Sequence, residues 1–544
     1  MQADRKKWSL ALRSTASLIA VVLVLAPAAR ARVLHTVVQD DTQALFAPQR
    51  LESFVGTLRW LGVDYLRVSA KWQIEAPNGN SVRVPRGLRP SDPSSYDSLG
   101  MRLLDRAVRV AKSAGLHVMI DPAFSAPLWA TGDARSRTAA REHWHNTDIN
   151  LRQLVAWEVM LARRYSGDYT PPGQAAPLPR VDAFTLWNEP NGGGYLKPQW
   201  RDGVPVSADW YRQLVQLAYP AIKRVSPEVT ILIGNTSNIG TDAETSGAGV
   251  APLTFIERLA CVNSRLQPVH DGACADFREV PGDGFAHHPY ERGAPPWQPS
   301  APSQRGWVQM GDLPKLQSLL DKLVAMHRLA PGARKLWLTE QGYESNGELR
   351  DRPWSEAQQA TLDAESEYLA ARDPQVQSFS QFLLRDTLTD ETLALRRRRH
   401  DPHTELPGTW ASGLEREHGA PKPAFPMFRS PVVARLQSRT GALCLVPRLS
   451  RRPSLAHAEL IEVWGRARPV VSPTVVQIQA RVGNAAQFVT AMGSTTDGNG
   501  IFDVMFAVPD DSPVAIRFQW RADRRWQRSP VTDPVRIPVA GAPG

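Results

Sequence analysis

Two glutamates stand where apolar runs end. Glu189 lies in Trp187-Asn188-Glu189-Pro190-Asn191, directly after the run Val181 to Leu186. Glu340 closes Lys335-Leu336-Trp337-Leu338-Thr339 and precedes Gln341-Gly342-Tyr343. Short apolar runs of this kind read as buried strands, so each carboxylate sits at a C-terminal strand end. Paired glutamates on one rim are the residue types of proton transfer and covalent attack. Other polar groups interrupt similar runs: Arg67 in Leu66-Arg67-Val68-Ser69, and the histidines of Phe285-Ala286-His287-His288-Pro289-Tyr290. His287 and His288 are adjacent, so both rings do not easily face one ion, and no Cys/His cluster has metal-ligand spacing. The sequence calls for no metal and no organic cofactor.

Positioning two such carboxylates requires parallel strands. From about Val33 to Arg435 short β-branched or apolar runs alternate with helical stretches, the pattern of repeated βα units. Strands are expected at Val33 to Val38, Tyr65 to Ser69, His117 to Asp121 and Ala183 to Trp187. Four more are expected at Thr230 to Gly234, Gly284 to His287, Lys335 to Thr339 and Val376 to Leu384. Helical segments lie between them, such as Ser98 to Ala114, Leu151 to Tyr165 and Glu356 to Ala371. Eight strands with intervening helices favour a (β/α)8 TIM barrel over an open doubly wound sheet. Neither a G-x-G-x-x-G turn nor a Walker loop follows any strand, which removes the usual signature of nucleotide binding. The excess length falls after strands, in Asn78 to Asp97, Asn191 to Ser207, Asn238 to Gly282 and Glu291 to Asp312, where loops rim the catalytic face of a barrel.

Beyond Arg435 short alternating strands and turns take over, including Ile461 to Trp464, Val475 to Ala480, Ile501 to Ala507 and Ala515 to Trp520. They read as a C-terminal β-sandwich. The expected organisation is a secretory signal at 1–31, a catalytic barrel at 32–434 and an accessory sandwich at 435–544. The signal reading rests on a basic start (Arg5, Lys6, Lys7, Arg13), the apolar run Leu18 to Ala26 and the small-residue triplet Ala29-Arg30-Ala31. Export with cleavage after Ala31 is expected, retention as a membrane anchor being the alternative. In that oxidising setting Cys261 and Cys274, thirteen positions apart, are able to close a local bridge, whereas Cys444 has no obvious partner.

The 544 residues carry 64 Lys+Arg against 54 Asp+Glu, a formal net charge of +10. The first 31 residues hold +4 of it, the segment 32–434 is formally neutral, and the remainder from Arg435 holds +6, its fourteen basic residues all arginine. The excess therefore says nothing about the chemistry of the barrel. The run Arg396 to Arg399 with His400 reads as a solvated loop rather than a nucleic-acid site. The sandwich is the part expected to meet an anionic wall or polysaccharide.

Taken in order, the strand-four Asn-Glu-Pro, the strand-six His-Pro-Tyr and the strand-seven Thr-Glu resemble clan A of the retaining glycoside hydrolases, closest in flavour to family 39. The resemblance spans roughly residues 33 to 430, including Trp410-Ala411-Ser412-Gly413-Leu414 and Lys422-Pro423-Ala424-Phe425. It implies a carbohydrate substrate, with Glu189 as general acid/base and Glu340 as nucleophile. It further implies that Arg67 lies beside the nucleophile, that Asn188 binds the sugar 2-hydroxyl, and that Tyr290 orients the nucleophile in the strand-six segment with His288. Trp72, Trp129, Tyr195 and Trp200, which follow strands, are expected to stack on sugar rings. Two other readings remain open on the same barrel: a carbohydrate-binding surface protein without turnover, and a transglycosylase.

Overall fold

The computed structural model describes residues 33–535, apart from 124, 142–143, 292, 346–353, 388–409, 441–457, 471–472, 510–512 and 523. The expected signal, the Arg396 to His400 run and Cys444 lie outside the described residues.

Eight parallel strands close into a barrel in sequence order: β1 (His35–Gln39), β2 (Tyr65–Lys71), β3 (His117–Ala123), β4 (Ala183–Thr185), β5 (Thr230–Thr236), β6 (Gly284–His287), β7 (Leu336–Leu338) and β8 (Val376–Phe382). β1 closes on β8 with five register pairs from His35/Ser378 to Gln39/Phe382. Around it run α1 (Leu51–Leu61), α2 (Trp72–Glu75), α3 (Leu99–Ser113), α4 (Leu151–Arg164), α5 (Val206–Val225), α6 (Pro252–Leu259), α7 (Leu313–Ala325) and α8 (Glu356–Arg372). Their boundaries follow local chemistry: Ser98 and Asn150 cap α3 and α4 through their side chains, and Ser355 closes a reciprocal capping box with Gln358 on α8.

The barrel interior is stratified. Val37, Tyr65, Met119, Ala183, Leu232, Ala286 and Trp337 form a buried apolar cluster of their own. At its end Tyr65 stacks on His117 (4.8 Å between centroids) and His35 stacks on Trp337 (5.5 Å). Side chains two positions further along a strand share its face, so Gln39, Arg67, Asp121 and Thr185 stand directly above Val37, Tyr65, Met119 and Ala183. The polar layer is thereby carried to the C-terminal mouth.

After β8 the chain passes through α9 (Ala424–Arg429) into two antiparallel sheets, β13-β10-β9 and β12-β11-β14-β15. These comprise β9 (Val432–Thr440), β10 (Ala458–Arg466), β11 (Val475–Val482), β12 (Val489–Thr495), β13 (Ile501–Pro509), β14 (Val514–Ala522) and β15 (Arg525–Arg528). The sandwich strand β9 begins at Val432, three residues before the expected boundary, and β9, β12 and β15 were not foreseen. The turn Asp497-Gly498-Asn499-Gly500 joins β12 to β13, with Asp497 Oδ1 accepting from the amides of Asn499 and Ile501.

The sandwich docks on α8. Glu367, almost fully buried, receives Arg466 at 2.9 Å and also pairs with Arg468. Arg466 Nη2 donates to Leu34 O on the barrel, and Glu462 accepts from Tyr368 at 3.0 Å and from Arg372 at 2.5 Å. Cys261 and Cys274 are joined by a disulfide in the loop after α6. Among the described residues no helix is long and apolar enough to cross a membrane.

Candidate active site

The polar mouth is organised by Arg67, which is fully buried on β2. Its Nη1 donates to Glu340 Oε1 at 2.5 Å and also to Gln39 Oε1. Its Nη2 lies 3.0 Å from Asp121 Oδ2 and donates to Asn188 Oδ1 at 3.2 Å. Burial disfavours the guanidinium charge, and Asp121 and Glu340 more than restore it. The Tyr290 hydroxyl donates to the other oxygen of Glu340 at 3.0 Å, while its ring stacks on Trp410 at 5.4 Å. Glu340 is thus gripped on both oxygens by donors.

Glu189 sits in a different setting. β4 stops at Thr185, two residues earlier than expected, because Trp187 and Glu189 adopt left-handed backbone (φ 60° and 41°) and lift Asn188 and Glu189 over the rim. Its Oε1 lies 2.9 Å from His288 Nδ1, and His288 Nε2 lies 2.9 Å from Asn235 Oδ1. Asn235 is aimed inward by a bulge: the β5–β6 register shifts between Gly234 and Thr236, and Asn235 itself has φ 49°. Gly234 is required there, since its φ is +88° and a Cβ would fall 2.5 Å from the Phe285 ring.

These contacts fix a proton. Asn235 Nδ2 donates to Trp187 O at 2.9 Å and to Asp121 Oδ1 at 3.1 Å, groups that accept when Asp121 is ionised beside Arg67. The amide orientation follows, and its oxygen faces His288. An amide oxygen only accepts, so Nε2 of His288 carries the hydrogen. Burial lowers the His288 pKa to about 4, against the opposing pull of Glu189. The neutral ring then offers only a lone pair at Nδ1, and Glu189 must donate to it. Burial pushes both glutamates up. Arg67 and Tyr290 pull Glu340 back toward the carboxylate, whereas Glu340's charge pushes Glu189 further up. The shared proton therefore resides on Glu189.

Ligand atoms of Glu189, His288 and Glu340 lie within 4.8 Å of one another, a spacing that a metal ion also accepts. The donors are already committed: Glu340 to Arg67 and Tyr290, His288 to Glu189 and Asn235. A buried guanidinium 2.5 Å from Glu340 further disfavours a second cation.

Glu189, Glu340, Asn188, Arg67, His288 and Tyr290 are brought together as the sequence leads one to expect. Trp72 and Trp129 are not. Trp72 is fully buried, stacked on Trp157 of α4 at 5.3 Å, with Trp129 edge-on at 5.8 Å; all three are packing residues between β2 and the helices. Trp200 is buried as well, and Tyr195 serves through its carbonyl, which accepts from Trp187 Nε1. His287 points away from the mouth, between Thr236 Oγ1 at 2.8 Å and Val308 O at 2.9 Å. The aromatic wall is instead Trp410, Phe382 and Tyr290, with Trp410 edge-on to Phe382 at 5.6 Å. Lys422 anchors that wall from behind, its buried Nζ donating to Asp386, Ser345 Oγ and Ala411 O at 2.8–3.0 Å. Gln39, Asp121 and Asn235 were not singled out in the sequence. The one signal for Asn235 was a glycine inside a strand pattern, which marks bulges.

Residues 47–252 match the family model of cellulase (glycosyl hydrolase family 5), a span that holds Arg67, Asn188 and Glu189 but ends before Tyr290 and Glu340. No curated protein matches the chain. Among solved structures it is similar to a family 39 glycoside hydrolase from the gut symbiont Bacteroides cellulosilyticus WH2, at 14% identity over 88% of this chain and 81% of that one, TM-score 0.47. It is also similar to the β-glycosidase of the hyperthermophile Thermosphaera aggregans, at 13% identity over 74% and 95%, TM-score 0.45. A third is the endo-β-1,4-mannanase of Thermotoga petrophila, at 11% identity over 93% and 98%, TM-score 0.41. The family match lies within the closed eightfold barrel, the fold that the glycoside hydrolase resemblance implies.

Proposed function

We propose that the chain is an exported hydrolase that cleaves O-glycosidic bonds of a glycan or glycoside in two displacements. Glu340 attacks the anomeric carbon, and Glu189 passes its proton to the departing oxygen. A covalent glycosyl-enzyme results. Glu189, now ionised, removes a proton from water, which attacks the same carbon, releases Glu340 and restores the starting protonation. Asn188, hydrogen-bonded to Arg67 through its oxygen, keeps its amide N–H groups for the sugar 2-hydroxyl, a contact that strengthens as the anomeric carbon gains positive charge. Trp410 and Phe382 offer apolar faces to the ring.

One observation carries this reading: carboxylate oxygens of Glu189 and Glu340 lie within 4.8 Å and have opposite hydrogen-bond roles, one donating and one accepting. Retaining enzymes hold their carboxyl groups about 5–5.5 Å apart, and inverting ones leave about 6.5–9.5 Å for a water. Replacing Glu340 with Ala is expected to abolish turnover of activated aryl glycosides, with azide restoring a glycosyl azide of inverted configuration. Replacing Glu189 with Ala is expected to lower turnover of poor leaving groups by about 10²–10⁴ and of dinitrophenyl glycosides far less. Equal losses on both substrates would remove the acid role.

A further inference from the structure

The outer face of the sheet β12-β11-β14-β15 presents guanidinium groups that pair with no carboxylate among the described residues. Alternation along β14 puts Ile516, Phe518 and Trp520 into the sandwich core and Arg517, Gln519 and Arg521 on the opposite face. The register carries that face to the neighbours: Arg517 is opposite Gln479, and Gln519 is opposite both Gln477 and Arg528. Trp526, opposite Arg521, is 44% exposed.

Two features mark these arginines. The arginines of the barrel mouth and of the sandwich contact spend their forks on carboxylates: Arg67 on Glu340 and Asp121, Arg466 and Arg468 on Glu367. Arg481, Arg517, Arg521 and Arg528 have no carboxylate partner among the described residues. Their guanidiniums are nevertheless held in place. Arg517 Nε donates to Gln479 Oε1 at 2.8 Å and Arg528 Nε to Gln519 Oε1 at 3.3 Å, so neither fork spends its terminal nitrogens on these amides. Phe488 lies under Arg517 at 4.2 Å and under Arg481 at 5.0 Å, and Trp526 lies 5.4 Å from Arg521. Burial, then Arg528 and Arg481, lower the pKa of Arg517, as expected where like charges crowd without an anion.

We infer that this face is a binding surface for a carboxylated polysaccharide, such as one built of uronic acids, which it holds while the barrel works on glycan nearby. The forks match carboxylates in bidentate geometry. Half-buried Gln477, whose oxygen accepts from Gln519 Nε2 at 2.8 Å, keeps its own amide nitrogen for a hydroxyl, and Trp526 supplies an apolar plane for a sugar ring. Those last two elements favour a glycan over a lipid surface or a nucleic acid, for which charge alone would serve.

The test is affinity electrophoresis of the full-length protein in gels containing polygalacturonate, a neutral glucomannan or neither. Retardation by polygalacturonate only is expected, fading between about 50 and 500 mM salt. Arg517→Gln/Arg521→Gln/Arg528→Gln is expected to weaken it at least tenfold and Trp526→Ala several-fold, with aryl glycoside turnover unchanged in both. Equal retardation of wild type and triple variant would overturn the assignment. So would retention on anionic vesicles or duplex DNA with none on polygalacturonate. Binding is read without turnover, so an inactive barrel leaves this result standing.

Discussion

Asn235 touches neither glutamate with its side chain, yet it dictates the proton on one of them. Asn235→Ala removes the near acceptor that keeps the His288 hydrogen on Nε2, Glu340 Oε1 lying farther off at 3.7 Å. The ring is then free to place that hydrogen on Nδ1 and donate it to Glu189. A hydrogen bond to a charged group contributes about 1.5–3 kcal/mol, and one pKa unit corresponds to about 1.4 kcal/mol. The ionised form of Glu189 gains that contact, so its pKa falls by about 1–2 units. The enzyme needs protonated Glu189 for the first displacement, and the alkaline limb of kcat/KM moves down by the same amount. At a pH above both alkaline limbs phenyl glycosides lose about 10–100-fold, while dinitrophenyl glycosides lose little. The shape of a pH profile does not depend on how much folded enzyme is present, which separates this effect from the stability lost with five buried hydrogen bonds. An alkaline limb that stays in place in Asn235→Ala would refute the argument, whatever happened to the rate.

Three further outcomes follow from the geometry. Glu367→Gln should cost about 3–5 kcal/mol, because Arg466 and Arg468 are left buried without a counter-charge; urea melts should also show the sandwich uncoupling from the barrel. His287 has a pKa lowered to about 4 by burial, against about 6.5 when unfolded. The unfolded chain binds the extra proton as pH falls through that window, so this histidine lowers wild-type stability by about 3 kcal/mol between pH 7 and pH 4. His287→Gln should narrow its gap to wild type by that amount over the same range, and paired melts at the two pH values check it. Lys422→Met should raise KM more than it lowers kcat, since it frees the segment carrying Trp410 while leaving both glutamates in place; steady-state kinetics on one aryl glycoside checks it.

The barrel was legible because its strands repeat a simple physical pattern, an apolar run ended by a polar residue at the rim. Glu189 and Glu340 were legible for the same reason, each following such a run at the rim, and Arg67 because it interrupts one inside β2. The tryptophans were misread because a residue type says nothing of its facing. Trp72 begins a helix one position past β2, and that turn directs it onto Trp157 instead of the mouth. Asn235 was missed because facing along a strand is counted in twos, and a single extra residue reverses it. Counted from Leu232, the inward positions on β5 run through Gly234; the bulge hands that place to Asn235. In the sandwich, β15 and β12 are edge strands whose residues alternate weakly, so periodicity offered little there.

The site depends on three positions where local rules fail. Trp187, Glu189 and Asn235 are non-glycine residues in left-handed backbone, each costing about 1–2 kcal/mol relative to ordinary conformations. All three serve one arrangement: the carbonyl of Trp187 and that of Asn235 are both used, the first accepting from Asn235 Nδ2 and the second from the amide of Glu189 at 3.0 Å. The two strained segments therefore hold each other, and neither glutamate nor imidazole is positioned by its own strand alone. A regular β4 and β5 would be more stable locally, but Glu189 would then lie along the barrel wall and Asn235 outside it. The stratified interior offsets this cost, because the apolar layer from Val37 to Trp337 and the aromatic base beneath it close the barrel independently of the mouth.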